Sequence, residues 1–558
     1  MHRPKTDLSR LLTCLALCII IVICDIPDMI SSAGSAPGSA GKSTGSRAAA
    51  TNPRDIEYNE PDGLAEAKDF RTYRMDELEG GKEYRFYNMA EGYSIVVPAD
   101  MKVTDMSNSE VVSVLEDEHR RLEIYVERNT YPRGYVAYGY RCLDDKESHD
   151  WTHNVTLKIS GRTAYIRQWE RPKLKGISDD HNYYAAIDII DGNDVYDFFF
   201  TSDQPFWKSG YYHDIVNSFK KTEADGKGVT IKGKPAGIQS YWNDETRALY
   251  STYLDGESGL EWGMYNPSAN YGYGYDDLKQ KEKVMNHHFD YLLVYSSITP
   301  DYNSAKSMDI VRKNYDDGRY SELTLQSPLN MTGRNMMYEI LDGNYDKFLI
   351  SIAKDIADFG HPVFVRLFNE MNGDWCNYSA YHTSRDTMIY KKVYRYIWNV
   401  FADQGACANT LWIWNPNGGS FPDYTWNDQR CYYPGDKYVD IVGITAYNTG
   451  NYYKDEKWTE FTEKYDPIYR EITAEYSHPI FITEFSCAVR GGDKLAWINT
   501  MFEEIQKYKK IKVAIWWDGC DMSATEKDVV SRDYRIDSPV ECMDAFKAYF
   551  EKYASEKD

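Results

Sequence analysis

Two glutamates stand where short apolar strands are expected to end, and this placement indicates acid–base or nucleophilic chemistry. Glu370 closes the stretch VFVRLFNE, and Glu484 closes the stretch IFITE. One carboxylic acid can donate a proton while a second carboxylate attacks or activates water, so two acids at one site form a minimal catalytic set. A single glutamate at a strand end more often serves as a helix N-terminal charge or a salt-bridge partner. The chemistry therefore depends on whether the fold brings the two together.

Several side chains near these glutamates could support a reaction. Arg366 is expected to point inward two residues after Phe364, and a buried arginine needs a carboxylate partner, for which Glu484 is the candidate. Tyr447 ends the stretch GITAY, where its hydroxyl could hydrogen-bond Glu484 and keep it ionised. Three tryptophans offer flat faces for a pyranose ring: Trp375, Trp516 and Trp517. A rim tyrosine or a packed tryptophan is the structural alternative for these aromatic residues.

The elements that must position these residues follow an alternating pattern of strands and helices over residues 238–555. The stretch YDKFLISIAKDIADFG predicts a helix with one apolar face, and Gly360 stands where a C-cap belongs. Eight strands with helices between them predict an α/β fold of the (β/α)8 TIM barrel type. An open doubly wound sheet is the competing fold, but no glycine-rich phosphate loop follows the first strand. The eight predicted strands are GLEWGMY, FDYLLVYSS, SELTLQS, VFVRLFNE, LWIWNPN, VDIVGITAY, IFITEFS and KVAIWWDG.

A barrel of this kind presents its functional groups at the C-terminal ends of the strands. Glu370 then ends the fourth strand and Glu484 the seventh, which face each other across the mouth. Two carboxylates in this position are what glycoside hydrolysis needs: one protonates the leaving oxygen, and the other acts as nucleophile or as base for water. A separation of about 5 to 5.5 Å between the carboxyls predicts retention of configuration, and one beyond about 6.5 Å predicts inversion.

A smaller α+β domain with an antiparallel sheet is predicted for residues 57–222. Stretches such as YSIVVPA and TAYIRQWE alternate with a period of two, and IIDGNDVY supplies a hairpin turn. The region ends with a short amphipathic helix at YYHDIVNSFKKTE. This order of elements resembles the PsbP-like and Mog1-like α/β domains. No cluster of acids, histidines or cysteines indicates chemistry here, so we expect a structural or attachment role, with a linker at residues 223–237.

The start of the chain has the features of an export segment. Residues 1–30 contain basic residues, the apolar run LLTCLALCIIIVIC and then small residues, which predicts a signal peptide or a signal anchor. Residues 31–56 form a small-residue linker that is expected to be disordered. We therefore expect an extracellular protein, either secreted or attached to the cell surface, with an uncleaved anchor as a membrane tether.

The composition restricts the partners. The 558-residue chain has 86 acidic and 64 basic residues and a net charge of −22, which argues against nucleic acid or an anionic membrane as the main partner. Aromatic residues make up 15% of the chain, more than packing usually needs, and such rings stack on sugars. No CxxC spacing or other ligand set predicts a metal or a cofactor. We expect a monomer whose partner is a polysaccharide.

Four motifs in the barrel region carry a resemblance to a known family. The run DGNYDKFLISIAKDIADFGHPVFVRLFNEMNGDW, followed by LWIWNPN, YVDIVGITAYN and PIFITEFS, resembles glycoside hydrolase family 26 of clan A. That family contains retaining endo-acting enzymes, best known as β-1,4-mannanases, with mixed-linkage β-glucanases and β-1,3-xylanases as minor members. The resemblance implies that Glu370 is the acid/base and Glu484 the nucleophile. It also implies a tyrosine beside the nucleophile at Tyr447, a tryptophan downstream of the acid/base at Trp375, and a sugar platform at Trp516 or, preferably, Trp517.

One position departs from the family pattern. The family usually has a histidine immediately before the acid/base, whereas this chain has Asn369, as most other clan A families do. In those families the asparagine binds the sugar 2-hydroxyl, the group at which mannose and glucose differ. The departure leaves the chemistry intact and leaves the choice between mannan or glucomannan and other β-glycans open. A catalytically inactive carbohydrate-binding protein is the alternative from another functional class.

Overall fold

The computed structural model describes residues 71–206, 211–254, 259–300, 305–328 and 333–557. The predicted export segment at residues 1–30 and the linker at residues 31–56 lie outside the described residues. Within the described ranges, no helix combines the length and the hydropathy needed to cross a membrane.

The first part of the described chain forms two antiparallel sheets with two helices. The four-stranded sheet has the order β1-β2-β3-β11, and the seven-stranded sheet has the order β4-β5-β6-β10-β9-β8-β7. The predicted α+β domain is confirmed, but its strands are divided between two sheets. The strands are β1 Tyr73–Glu77, β2 Glu83–Asn88, β3 Tyr93–Pro98, β4 Lys102–Asp105, β5 Ser113–Glu116, β6 Arg120–Glu127, β7 Asp150–Ile159, β8 Arg162–Glu170, β9 Tyr183–Asp191, β10 Asp194–Ser202 and β11 Lys220–Lys221, and the helices are α1 Pro132–Tyr138 and α2 Tyr211–Asn217.

The second part closes into an eight-stranded parallel barrel, which confirms the predicted (β/α)8 fold. The strands pair in chain order, and the last strand pairs with the first. Each predicted apolar stretch forms one strand, because parallel strands are covered on both faces and so read as short apolar runs. The barrel strands are β12 Glu261–Tyr265, β13 Tyr291–Ser297, β14 Tyr320–Gln326, β15 Val363–Leu367, β16 Thr410–Trp414, β17 Ile441–Thr445, β18 Ile480–Phe485 and β19 Ile511–Trp517.

Helices cover the outside of the barrel. The helix predicted from YDKFLISIAKDIADFG forms with its apolar face buried, and Gly360 ends it with a φ of 73°, a left-handed conformation that glycine adopts without strain. A two-stranded hairpin of β20 Cys520–Met522 and β21 Val530–Asp533 follows the last barrel strand. The helices are α3 Asp244–Leu254, α4 Pro267–Asn270, α5 Asp276–Met285, α6 Ala305–Asp316, α7 Met336–Leu341, α8 Asp346–Phe359, α9 Thr387–Asp403, α10 Phe461–Glu475, α11 Lys494–Ile505 and α12 Glu541–Lys557.

The seven-stranded sheet joins the two parts into one body. On β10, Phe198 and Phe200 belong to the core of the N-terminal domain, whereas Val195 and Phe199 belong to the core that continues into the barrel. Nearly every residue of α9 is buried. Alternate side chains of one strand therefore pack into two different cores, and the N-terminal domain shares one of them with the barrel domain.

Candidate active site

The chain turns sharply at the end of β15, where it presents the first glutamate. Phe368 has a φ of 50° and Glu370 a φ of 58°, a region that side chains other than glycine seldom adopt. Two backbone hydrogen bonds hold the turn: the Phe368 N–H donates to the Leu325 carbonyl at 2.9 Å, and the Glu370 N–H donates to the Asn415 carbonyl at 2.8 Å. Neighbouring strands thus fix the position of Glu370 at the barrel mouth.

Glu370 has the properties of a proton donor. The Trp375 indole N–H donates to Glu370 Oε2 at 3.2 Å. Burial and, second, the nearby charge of Glu484 raise the pKa of Glu370 to about 8. The carboxyl is therefore protonated at neutral pH, as a general acid must be.

Glu484 ends β18, is only 5% exposed, and accepts hydrogen bonds on both oxygens. Arg366 Nη1 donates to Oε1 at 2.6 Å, and Asn369 Nδ2 donates to the same oxygen at 3.3 Å. The hydroxyls of Tyr295 and Tyr447 donate to Oε2 at 2.6 and 2.9 Å. Four donors, from β13, β15 and β17 or the residues just after them, fix this carboxylate in one orientation, which is the preorganisation that a nucleophile requires.

The structure pairs Arg366 with Glu484, as the sequence suggested, and with a second acid that sequence reasoning missed. Arg366 Nε lies 2.9 Å from Glu322 Oε1, on the neighbouring strand β14. Both oxygens of Glu322 are buried, and neither receives a hydrogen bond from any described residue. Burial raises the pKa of Glu322 to about 8. The signal in the sequence was an acid inside the predicted strand SELTLQS.

Tyr295 is the other functional residue that sequence reasoning missed. It ends β13, the second barrel strand, and its backbone N–H donates to Asn270 Oδ1 at 2.8 Å. Its hydroxyl makes a shorter hydrogen bond to Glu484 than the hydroxyl of Tyr447 does. A tyrosine at the end of the predicted strand FDYLLVYSS was visible, but only the closed barrel shows that it reaches across to the seventh strand.

The two adjacent tryptophans of β19 lie on opposite faces of the strand. Trp517 faces the barrel interior, stacks on Tyr265 with ring centroids 5.1 Å apart, and meets the ring of Tyr447 edge-on at 6.2 Å. Trp516 is fully buried on the outer face, where its indole N–H donates to the Tyr534 carbonyl at 3.2 Å. The structure therefore removes Trp516 from the candidate sugar platform, because alternate residues of a strand point in opposite directions, and it leaves Trp517 at the site.

Asn369 directly precedes Glu370 in the chain and lies beside Glu484 in space. It is 6% exposed, and its backbone carbonyl accepts from the Tyr378 hydroxyl at 2.6 Å. The side-chain amide is held against Glu484. Of the predicted site residues, all except the outward-facing Trp516 contact one of the two glutamates, either directly or, for Trp517, through Tyr447.

No group of three or more potential metal ligands occurs among the residues that the structure describes. The six cysteines whose side chains are described are free thiols. The site is thus built from one acid that is protonated at neutral pH and one carboxylate held by four donors, on opposite strands of a barrel. Two carboxyl groups of this kind are the set that glycoside hydrolysis uses.

Comparisons with known proteins agree with this geometry. Residues 325–486, which include both glutamates, match the model of glycosyl hydrolase family 26. Endoglucanase H of Acetivibrio thermocellus is 29% identical over 213 residues, which are 38% of this chain and 22% of that protein. A mannan endo-1,4-beta-mannosidase of Bacillus subtilis strain 168 is 30% identical over 116 residues, which are 20% of this chain and 28% of that protein.

The similarity is confined to part of each relative. The matched segments span 13 to 28% of the length of the curated relatives. Among solved structures, the catalytic domain of a Bacillus sp. JAMB-750 endo-beta-1,4-mannanase is 19% identical, with a TM-score of 0.43, over 58% of this chain and 93% of that chain. Residues 325–486 are thus the part of this chain that is similar to glycosyl hydrolase family 26.

Proposed function

We propose that the protein is a retaining endo-β-glycanase that hydrolyses β-1,4-mannan or glucomannan. The observation that carries the proposal is the contrast between the two glutamates. Glu370 is protonated at neutral pH because its pKa is raised to about 8, and Glu484 is held by four donors. One acid is thereby prepared to give a proton and the other to attack.

In the first step, Glu484 Oε attacks the anomeric carbon of the bound sugar chain. The bond from that carbon to the departing oxygen breaks, and Glu370 gives this oxygen its proton, so that the leaving chain departs as an alcohol. The product is a glycosyl ester on Glu484 and a negatively charged Glu370. The two carboxyls exchange their charge states in this step.

In the second step, Glu370 acts as a base. It takes a proton from a water molecule whose oxygen attacks the anomeric carbon, and Glu484 leaves as a carboxylate. Each step inverts the anomeric carbon, so the sugar is released with its original configuration. Glu370 is again protonated, and the enzyme is ready for another turnover.

The buried Arg366 needs a negative partner in both steps of the reaction. Arg366 neutralises Glu484 in the free enzyme, but the glycosyl ester carries no charge. The charge of Glu484 is one cause of the raised pKa of Glu322, so esterification of Glu484 favours the ionised form of Glu322, which lies 2.9 Å from Arg366. An ion pair between Glu322 and Arg366 at this stage avoids leaving an uncompensated charge in the core.

The substrate is proposed from the relatives and from Asn369. Proteins named mannan endo-1,4-beta-mannosidase are among the matches, and so is one named Endoglucanase H. Asn369, beside the nucleophile, favours a contact with the sugar 2-hydroxyl, at which manno and gluco sugars differ. The alternatives are therefore a mixed-linkage β-glucanase and a β-1,3-xylanase.

The experiment is an assay of new reducing ends with mannan, glucomannan, mixed-linkage β-glucan and xylan. Glu484→Gln is the control, because it keeps the shape of the side chain and removes the nucleophile. Release by the wild type and not by the control would establish the hydrolase and its substrate. The anomer released first, followed by NMR, tests retention. Binding to a polysaccharide without any release would favour the inactive carbohydrate-binding protein.

We also propose that the protein acts outside the cell, secreted or held at the surface by its N-terminal segment. The apolar run in residues 1–30 and the small-residue linker after it support this. Cell fractionation, with determination of the N-terminal residue of the mature protein, tests it. Intact protein in the cytoplasm would contradict it.

A further inference from the structure

An exposed phenylalanine lies beside the proton donor's tryptophan. Phe421 is 42% exposed, and in the described part of the chain it is the one phenylalanine among the large exposed apolar side chains. The centroids of the Phe421 and Trp375 rings are 5.2 Å apart, with the planes tilted by 50°. Since Trp375 donates to Glu370, the two rings form a continuous aromatic surface that leads outward from the acid.

The position of this surface relative to the two glutamates defines which part of a sugar chain it would meet. Glu484 contacts the tyrosines at the ends of β13 and β17, and Tyr447 in turn meets Trp517. Those aromatic residues therefore lie on the side of the sugar that is attacked. The acid protonates the departing oxygen, so side chains that extend outward from Glu370 lie along the departing chain.

The loop that carries Phe421 is ordered by hydrogen bonds within the protein. The Phe421 N–H donates to the carbonyl of Asn372 at 2.8 Å, and Asn372 belongs to the same turn as Glu370. Asn372 Nδ2 donates to the Asn417 carbonyl at 3.1 Å and to Ser420 Oγ at 3.2 Å. A side chain on a loop that is already ordered loses little further freedom on binding, which favours affinity.

The N-terminal domain packs against the other side of this loop. Glu127 Oε2 accepts from both the N–H and the hydroxyl of Thr425 at 2.8 Å, and the rings of Tyr135 and Tyr424 lie 4.6 Å apart. The loop is thus packed against protein on one side and hydrogen-bonded to the acid's turn on another. The face of Phe421 remains open, although burying an aromatic ring is favourable.

We propose that Phe421, together with Trp375, binds a hexopyranose unit of the departing chain, which stacks its C–H face on the phenylalanine ring. This inference rests on the proposed glycanase function and adds to it a binding position on the leaving-group side. In this proposal the exposed ring binds the sugar, the ordered loop holds the ring in place, and the N-terminal domain supports the loop.

The test compares Phe421→Ala with the wild type on substrates that differ in the length of the leaving group. A 2,4-dinitrophenyl β-mannobioside or β-cellobioside carries no sugar unit on the leaving-group side, whereas glucomannan or a β-1,4-linked hexasaccharide carries one or more. We expect kcat/KM for the long substrates to fall about tenfold, equivalent to about 1.4 kcal/mol. The kcat/KM for the aryl bioside should not change, and Phe421→Tyr should restore the long-substrate rate.

Tyr241→Ala is the matched control. Tyr241 is an aromatic residue with 44% exposure, and it precedes α3 near the N-terminal ends of the barrel strands. Its replacement should leave every substrate unaffected. Gel retardation in immobilised polysaccharide supplies a second readout without turnover: Glu484→Gln carrying Phe421→Ala should be retarded less than Glu484→Gln alone.

Two results would overturn the inference. Equal rates of Phe421→Ala and wild type on all substrates would mean that the ring binds no sugar. An equal loss on the aryl bioside and on the long substrates would mean that Phe421 only supports the turn of Glu370. Failure of the proposed function is distinct from both, because it is a wild type that cleaves neither polysaccharide nor aryl bioside.

Discussion

At the scale of single residues, the candidate site is a set of charges that share partners. Arg366 lies between Glu322 and Glu484, and the charge of Glu484 in turn raises the pKa of Glu370. None of these groups can change its charge without affecting the others. Their separate contributions therefore show most clearly in measurements that distinguish the two steps of the reaction.

Replacing Glu322 by glutamine should change the two steps in opposite directions. Without Glu322, no other carboxylate can replace the charge that Glu484 loses beside Arg366 as it attacks, so attack should slow and kcat/KM should fall about tenfold, which corresponds to about 1.4 kcal/mol. The ester intermediate would leave Arg366 without a counter-charge, so its hydrolysis should become faster. The measurement is reactivation of enzyme trapped with a 2-deoxy-2-fluoro glycoside.

A purely structural role for Glu322 would give a different pattern. Both kcat/KM and the reactivation rate would then fall together, along with the melting temperature. A variant indistinguishable from the wild type in both rates would show that Glu322 is neutral throughout the cycle.

The raised pKa of Glu370 predicts the alkaline limit of activity. Only the protonated acid can donate to the leaving oxygen, so kcat/KM should fall as the pH rises through about 8. Glu370→Ala should hydrolyse a 2,4-dinitrophenyl glycoside without this alkaline decrease in kcat/KM, because that leaving group departs without a proton. If the decrease persists in the variant, it is caused by another ionisable group.

The same pKa predicts that Glu370 destabilises the fold at alkaline pH. The folded state holds this proton up to about pH 8, whereas a glutamate in the unfolded chain loses it near pH 4.5. Unfolding therefore releases a proton between these values, and stability falls as the pH rises across this window. Glu370→Gln should melt higher than the wild type at pH 9, with a smaller difference at pH 5. An equal difference in melting temperature at both pH values would rule out the ionisation of Glu370 as the cause.

At the scale of elements, the turn after β15 and the loop after β16 form one unit. Asn372 is 1% exposed and makes hydrogen bonds from both its side chain and its backbone to that loop. Asn372→Ala should cost about 1 to 3 kcal/mol of folding free energy. It should also lower kcat/KM, because the same turn carries Glu370.

Asn409 provides the comparison for this prediction. It is equally buried, and its amide donates to the carbonyls of Ile356 and His361 at the opposite end of the barrel. Asn409→Ala should cost a similar free energy of unfolding, measured by urea denaturation, and leave kcat/KM unchanged. Equal activity losses in the two variants would show that stability alone controls activity.

The elements that could be predicted from the sequence are those whose signal is local. Most barrel strands are short apolar runs, and Glu370 and Glu484 are visible because strand ends of a barrel meet at one mouth. The choice between Trp516 and Trp517 could not be made, because two adjacent aromatic residues fit either face of the strand. The partnership of Glu322 with Arg366 depends on the barrel register, which a single sequence does not contain.

At the scale of the whole molecule, the packing of the N-terminal domain against the barrel could not be predicted from the local sequence pattern either. The stretch VYDFFFTS of β10 is buried on both faces, a two-sided burial that alternation alone does not describe. The domain interface contains polar contacts as well as apolar ones: the Tyr184 hydroxyl donates to Asp386 Oδ2 at 3.1 Å, at the start of α9. The Tyr138 hydroxyl donates to Asp374, next to Trp375.

This interface predicts that the described domains unfold as one cooperative unit. Arg385 of the barrel pairs with Asp197 on β10, and both side chains are almost fully buried. Asp197→Ala leaves a buried guanidinium without its partner and should lower the free energy of unfolding by about 3 to 5 kcal/mol. Asp191, in the same sheet, pairs with Arg162 and Lys221 at a partly exposed site, so Asp191→Ala should cost less than about 1 kcal/mol. Calorimetry should show one transition that moves to a lower temperature in Asp197→Ala, with loss of kcat/KM at the same temperature. Two transitions, of which only one moves, would mean that the N-terminal domain folds independently of the barrel it covers.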